Sequence, residues 1–281
     1  MSLADAHLHL FRRGFPGVYG KSLLGPEVEA YESLRAAHAI EAGLVVGYQG
    51  FEADNNAYIR SLAADRPWIA TVAFVDARAA PSPGAASALL EDGHVGIALY
   101  LGEMMDAEAA RAWPAATWRL LDKRGAIVSL NVSPDVLAAF APVVEANAGC
   151  AFLVSHMGLP GRYATPPSVG KAAERLDPLL RLAALPNVMV KISGAYAISD
   201  PAHAYPHEAA APFVRVILER FGPERCVWGS DFSPVLDHVS FAQAVASPWL
   251  DRLGAGERDG VMGGNLKRLL SRARPSTPSA P

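Results

Sequence analysis

The residues best suited to chemistry stand at the start of the chain, in Asp5-Ala6-His7-Leu8-His9. On an extended strand, residues two apart point to the same side, so His7 and His9 project together. Two adjacent imidazoles can ligate a divalent cation or jointly polarise a carbonyl oxygen. A satisfied pair on a half-buried strand is the plain alternative. His156 stands in FLVSHMGLPG, at the end of an apolar run and just before a Gly/Pro loop, where a loop hydrogen-bonder would also fit. Asp231 closes VWGSDFSP in the same manner. A carboxylate ending an aromatic, apolar run is costly unless it is paired, ligated or catalytic. The alternative, a helix N-cap, is weakened because the next helical pattern starts near Asp237 or His238.

The elements that must position these groups alternate short apolar runs with longer amphipathic stretches. Strands are expected at residues 4–11, 42–50, 68–75, 95–101, 126–132, 150–158, 188–194 and 226–233. Helical patterns lie near 27–41, 53–65, 84–92, 106–122, 134–146, 170–184 and 208–220, with a last one inside 236–272. Ser133 followed by Pro134 reads as an N-cap and first helical position, and Gly43 and Gly125 read as helix ends ahead of strands. Nearly continuous apolar strands are the pattern of parallel strands covered by helices. Eight strand-then-helix units favour a single (β/α)8 TIM barrel over residues 1–270. No GxGxxG follows the first strand, which argues against a dinucleotide fold. In a barrel the loops after the strands form the active face, so residues 12–26, 159–168 and 196–207 are expected to wall a pocket. Residues 271–281, rich in Pro, Ser and Ala, are expected to be a disordered tail.

Bulk properties narrow the class. Hydrophobic residues make up 51% of the 281 and charged residues 19%, enough apolar material for a large core. A net charge of −3 without a basic stripe argues against nucleic acid. No run reaches the roughly 20 apolar residues of a membrane helix, and the N-terminus lacks a signal-peptide pattern. The two cysteines, Cys150 and Cys226, read as buried thiols, so a cytoplasmic protein is expected.

DAHLHLF, SHMGLPG, VKISG, WGSDFSP and GGNLKRLL, in that order over residues 4–270, resemble the second group of amidohydrolase-related proteins. Within it they resemble the lactone-hydrolase branch, which includes pyrone-dicarboxylate and sugar-lactone hydrolases. The resemblance implies that Asp231 is the general base on the attacking water and later passes the proton to the leaving oxygen. It implies that His7, His9 and His156 either hold a metal together with Asp231 or polarise the ring carbonyl directly. One divalent ion, zinc first, or metal-independent catalysis are both open. Many metal-dependent members carry a carboxylated lysine or glutamate on the fourth strand and a histidine on the fifth. Here those strands read GIALYL and IVSLNVS, with Asn131 where the histidine would stand, so a two-metal centre is not expected.

Lys191 is expected to meet a substrate carboxylate or an acidic partner, or else to point between barrel and helices with a salt bridge. Arg12, Tyr19, Tyr48, Tyr100, Asn131, Arg162 and Tyr196 end strands or enter loops on the mouth side and are the expected substrate contacts. His38, His94 and His238 are expected to be structural, His207 to start a helix, and Trp113, Trp118 and Trp249 to pack helices on the barrel. The expected function is opening of a small lactone or cyclic ester, its substrate a small and anionic molecule, with a homodimer expected from family habit. Metal-dependent, non-oxidative decarboxylation of an aromatic or muconate-type acid is the alternative, and carbon dioxide release against proton release from a lactone panel separates the two. A non-catalytic binding barrel is the third reading, and pairing a base with electrophiles counts against it.

Overall fold

The computed structural model describes residues 3–273. Its eight strands are β1 (Leu3–Leu8), β2 (Ile40–Val46), β3 (Ile69–Phe74), β4 (Gly96–Leu101), β5 (Ile127–Val132), β6 (Ala151–Val154), β7 (Val188–Ile192) and β8 (Cys226–Trp228). They pair in parallel in sequence order. A parallel bridge between Leu8 and Phe232 joins the last strand to the first, and the Asp231 amide donates to the His7 carbonyl at 2.8 Å. Helices cover the outside, among them Glu27–Ala37, Asn55–Asp65, Pro134–Ala146 and Ala211–Phe221. This is the (β/α)8 barrel that the alternating pattern predicts.

Two apolar clusters hold it. The larger lies between strands and helices, where Trp118, Phe140, Phe152 and Phe213 are buried. The smaller contains Ala4, Ala6, Leu44, Val72, Ile127, Leu153 and Val227, on strand faces opposite to the first, and so plugs the barrel's interior. A polar layer of Ser129, Ser155, Lys191 and His7, all buried, takes the next level toward the strands' carboxyl ends.

Several expected boundaries shift. Gly43 lies inside β2; the preceding helix ends at Ala37, and Ala39 takes the left-handed position at φ 53. Gly125 does serve ahead of β5, at φ 62. Ser133 is the N-cap residue before Pro134, without a side-chain cap bond. The expected helix 106–122 is two, Met104–Arg111 and Ala115–Lys123, with Pro114 between them. The strands expected to reach 158 and 233 stop at Val154 and Trp228, because the chain turns at His156, Met157 and Asp231, all at positive φ. Residues 271–273 complete the helix Asn265–Ala273 and so belong to the barrel; the rest of the expected tail lies outside the described residues. No helix of the described residues is long and apolar enough to cross a membrane.

Candidate active site

At the carboxyl ends of β1, β6 and β8 the four residues singled out by sequence meet. His7 lies on β1, His9 one residue beyond it, His156 two beyond β6 and Asp231 three beyond β8. Asp231 Oδ1 lies 3.6 Å from His7 Nε2 and 3.7 Å from His9 Nε2, and its Oδ2 lies 3.8 Å from His156 Nδ1. Tyr196 donates its hydroxyl to Asp231 Oδ2 at 2.7 Å. Asp231 and His156 both hold left-handed backbone, at φ 60 and 52, a conformation costing a non-glycine residue about 1–3 kcal/mol. The surrounding contacts must supply that, and two glycines show how tightly they do. A Cβ on Gly194, itself at φ 61, would lie 2.3 Å from His156 Nδ1, and one on Gly229 would lie 2.8 Å from His7 Cβ.

Beneath the site Asp5 ties β1 to β8. Its Oδ1 accepts from the amides of His7 and Ser230, and its Oδ2 accepts from the Tyr31 and Ser230 hydroxyls. Burial raises its carboxyl to about 6. Burial also lowers the pKa of His7, His9 and His156, so all three are neutral imidazoles at neutral pH. Desolvation likewise lowers the ammonium of Lys191 to about 7.

The hydrogen-bond distances assign tautomers. Lys191 Nζ lies 2.7 Å from Ser129 Oγ and 3.1 Å from His7 Nδ1. His7 Nε2 lies 3.2 Å from His9 Nε2, and His9 Nδ1 lies 2.8 Å from the Val46 carbonyl. A carbonyl only accepts, so His9 carries its proton on Nδ1 and accepts at Nε2. His7 then donates from Nε2 and accepts from Lys191 at Nδ1. One proton arrangement satisfies the whole row.

A cation also fits this donor set. Ligand atoms of His7, His9 and Asp231 lie within 4.8 Å of one another, all buried. Ligand distances of about 2.0–2.1 Å place neighbouring nitrogens roughly 3.0–3.4 Å apart, as the two Nε2 atoms are. His9 meets the further requirement that its other nitrogen donate to an acceptor. His7 meets it when its proton sits on Nδ1 and is donated to the Ser155 hydroxyl at 3.3 Å.

Above the four residues opens a cavity of about 430 Å³. Tyr48, Tyr100, Asn131 and Tyr196 line it, as expected, with His9, His156 and Asp231. The Tyr100 hydroxyl is buried there without a hydrogen-bond partner. Four other expected contacts lie elsewhere. Arg12 stacks over Tyr58 at 4.7 Å and reaches Asp54 at 3.4 Å. Arg162 donates to the Ser199 carbonyl, and Tyr19 packs edge-on against Phe232. Lys191 lies in the polar layer below His7, neither at the pocket wall nor between barrel and helices. His238, expected to be merely structural, stacks on Tyr196 at 4.5 Å. His94, as expected, is buried against Thr71; the Trp113 and Trp118 rings stack on one another, and Trp118 packs on Phe140 of the helix Pro134–Ala146.

Sequence reasoning missed the pocket's aromatic wall of Phe11, Phe15 and Phe51. Phe11 carried a signal, since it continues the two-residue period of His7 and His9, and its ring stacks on His9 at 5.9 Å. Phe15 and Phe51 sit on loops whose course no periodicity encodes.

The sequence model of the amidohydrolase family (Amidohydro_2) matches residues 4–272. No curated protein matches the chain. Among solved structures it resembles an amidohydrolase from Burkholderia multivorans with bound zinc, with a TM-score of 0.80 at 24% identity over 98% of this chain and 100% of that one. A Pseudomonas putida protein assigned as a 2-pyrone-4,6-dicarboxylic acid hydrolase follows, with a TM-score of 0.73 at 22% identity, over 96% of this chain and 98% of that one. The 2,6-dihydroxybenzoate decarboxylase of Rhizobium shares the fold with a TM-score of 0.64 at 13% identity, over 96% of this chain and 99% of that one. A match across nearly the whole barrel identifies this chain as a member of the amidohydrolase family.

Proposed function

We propose that the protein hydrolyses a small lactone or cyclic ester. The observation that carries this reading is a single carboxylate, Asp231, oriented by the Tyr196 hydroxyl and facing neutral imidazoles across a closed barrel mouth. Ester hydrolysis needs a base within reach of water and positive character where the carbonyl oxygen gains charge. Asp231 takes a proton from the attacking water as the new C–O bond forms. The ring C–O bond then breaks, and the same proton passes to the departing alkoxide, so water and lactone become a hydroxy acid. Ser193 accepts from the His156 amide at 3.3 Å and lies 3.1 Å from its Nδ1. With its hydroxyl proton given to Nδ1, the His156 Nε2 proton faces the pocket as a donor to the carbonyl oxygen. A divalent cation held by His7, His9 and Asp231 would add Lewis-acid polarisation and lower the pKa of a bound water.

Decarboxylation of an aromatic acid is favoured less. The fifth strand carries Asn131 rather than a histidine at its mouth end, and among the described residues no Lys or Arg lines the cavity to receive a carboxylate. The deciding experiment is Asp231→Asn assayed on the best substrate of a lactone panel. Its kcat is expected to fall at least about 10³-fold, the scale of losing both proton transfers. Turnover within threefold of wild type would overturn the reading.

A further inference from the structure

Resting on the lactone reading, we infer that the substrate is an uncharged lactone with an aromatic or flat apolar face, stacked on the cavity's aromatic wall. Three observations converge on this class. First, the cavity wall offers no cationic side chain: of its lining residues Asp231 is the sole Asp or Glu, and none is Lys or Arg. The nearby cations are engaged elsewhere. The Arg12 guanidinium lies over Tyr58 and against Asp54, Arg162 serves the Ser199 carbonyl, and Lys191 is covered by His7. A substrate carboxylate would therefore meet no Lys or Arg on the cavity wall, and an anion taken from water without such a partner is costly.

Second, the wall is a continuous aromatic surface. Phe51 lies 4.5 Å from Phe11, 5.8 Å from Phe15 and 5.4 Å from Tyr48, and Tyr48 lies 5.0 Å from Tyr100. Phe51 is 41% exposed at the cavity edge, an exposed face of ring where most large apolar groups of this chain are covered. Rings at such spacings favour another flat apolar group in offset or edge-on contact. Third, the polar groups of the wall are neutral. The Asn131 amide and the partnerless Tyr100 hydroxyl suit carbonyl or ring oxygens rather than an anion. A volume of about 430 Å³ admits a bicyclic lactone.

The test uses two pairs of compounds on the intact protein. For turnover, 3,4-dihydrocoumarin is compared with its 6-carboxylate; for binding, 2-tetralone, the carbocyclic counterpart that cannot be hydrolysed, is compared with its 6-carboxylate by calorimetry. The neutral member is expected to lead by about 100-fold in kcat/KM and in Kd, and Phe51→Ala to weaken 2-tetralone binding about tenfold. Selective binding of 2-tetralone with no lactone opened would support this inference and sink the lactone reading. Lactones opened with the carboxylated member preferred would overturn this inference and leave the lactone reading standing. Absence of 2-tetralone binding would overturn it as well.

Discussion

At the scale of single residues, the site depends on proton positions that hydrogen-bond partners dictate. The Val46 carbonyl fixes His9, His9 fixes His7, and Lys191 closes the row from below. The expected outcome is that nitrogen NMR of 15N-histidine-labelled protein at pH 7 finds His9 protonated on Nδ1 and His7 on Nε2. Finding His7 protonated on Nδ1 in metal-free protein would contradict the assignment. Tyr196 acts on the proposed base, Asp231, in another way. Its hydroxyl, 2.7 Å from Asp231 Oδ2, holds the carboxylate in one rotamer, while its ring is backed by His238. Hydrogen bonds to charged groups contribute about 1.5–3 kcal/mol, so Tyr196→Phe should lower kcat roughly 10- to 100-fold. Steady-state kinetics on the best lactone checks this, and an unchanged kcat would remove Tyr196 from the machinery.

At the scale of elements, the turns after β6, β7 and β8 aim the chemistry. Gly194 lets the end of β7 approach the His156 ring, where a methyl would lie 2.3 Å from Nδ1. Gly194→Ala should therefore push His156 out of line, with kcat falling at least tenfold and the protein losing stability through both the contact and the positive φ. Wild-type kcat in a folded Gly194→Ala protein would show that His156 does not need this seat. The same turns explain what could be read from sequence. Strand-then-helix alternation revealed the barrel, and residue type at strand ends revealed His7, His9, His156 and Asp231. The period of two placed His7 and His9 on one side and pointed on to Phe11. The exact strand ends were hidden, because His156 and Asp231 adopt left-handed backbone that only their surroundings stabilise. Arg12, Arg162 and Tyr19 lie off the cavity wall for a related reason. A loop's side chains follow its tertiary partners, here Asp54, the Ser199 carbonyl and Phe232, and none of these lies near them in sequence.

At the scale of the whole molecule, burying so many imidazoles links stability to pH. His94 is pushed down to about 4 by burial, and burial lowers His7, His9 and His156 as well. Below about pH 6.5 the unfolded chain protonates these groups before the folded protein does, His94 resisting down to about pH 4, so stability is lost as pH falls. Asp5 and Glu27 act in the opposite sense. Both are raised by burial, so the folded state keeps the proton longer and their contribution is lost as pH rises, for Asp5 through about 6. Burial lowers His207 to about 4 and His238 too, so the imidazoles outnumber the two carboxyls, and the melting temperature should rise from pH 4 to 6.5. Asp5→Asn removes an opposing group and should steepen the rise, whereas His94→Asn, far from the site, should flatten it. Thermal unfolding of the three proteins at half-unit pH steps measures all of this. A wild-type melting temperature that stays level or falls across the window would mean the buried imidazoles carry charge in the folded protein, and with it the neutral electrophiles assigned to His9 and His156 would go.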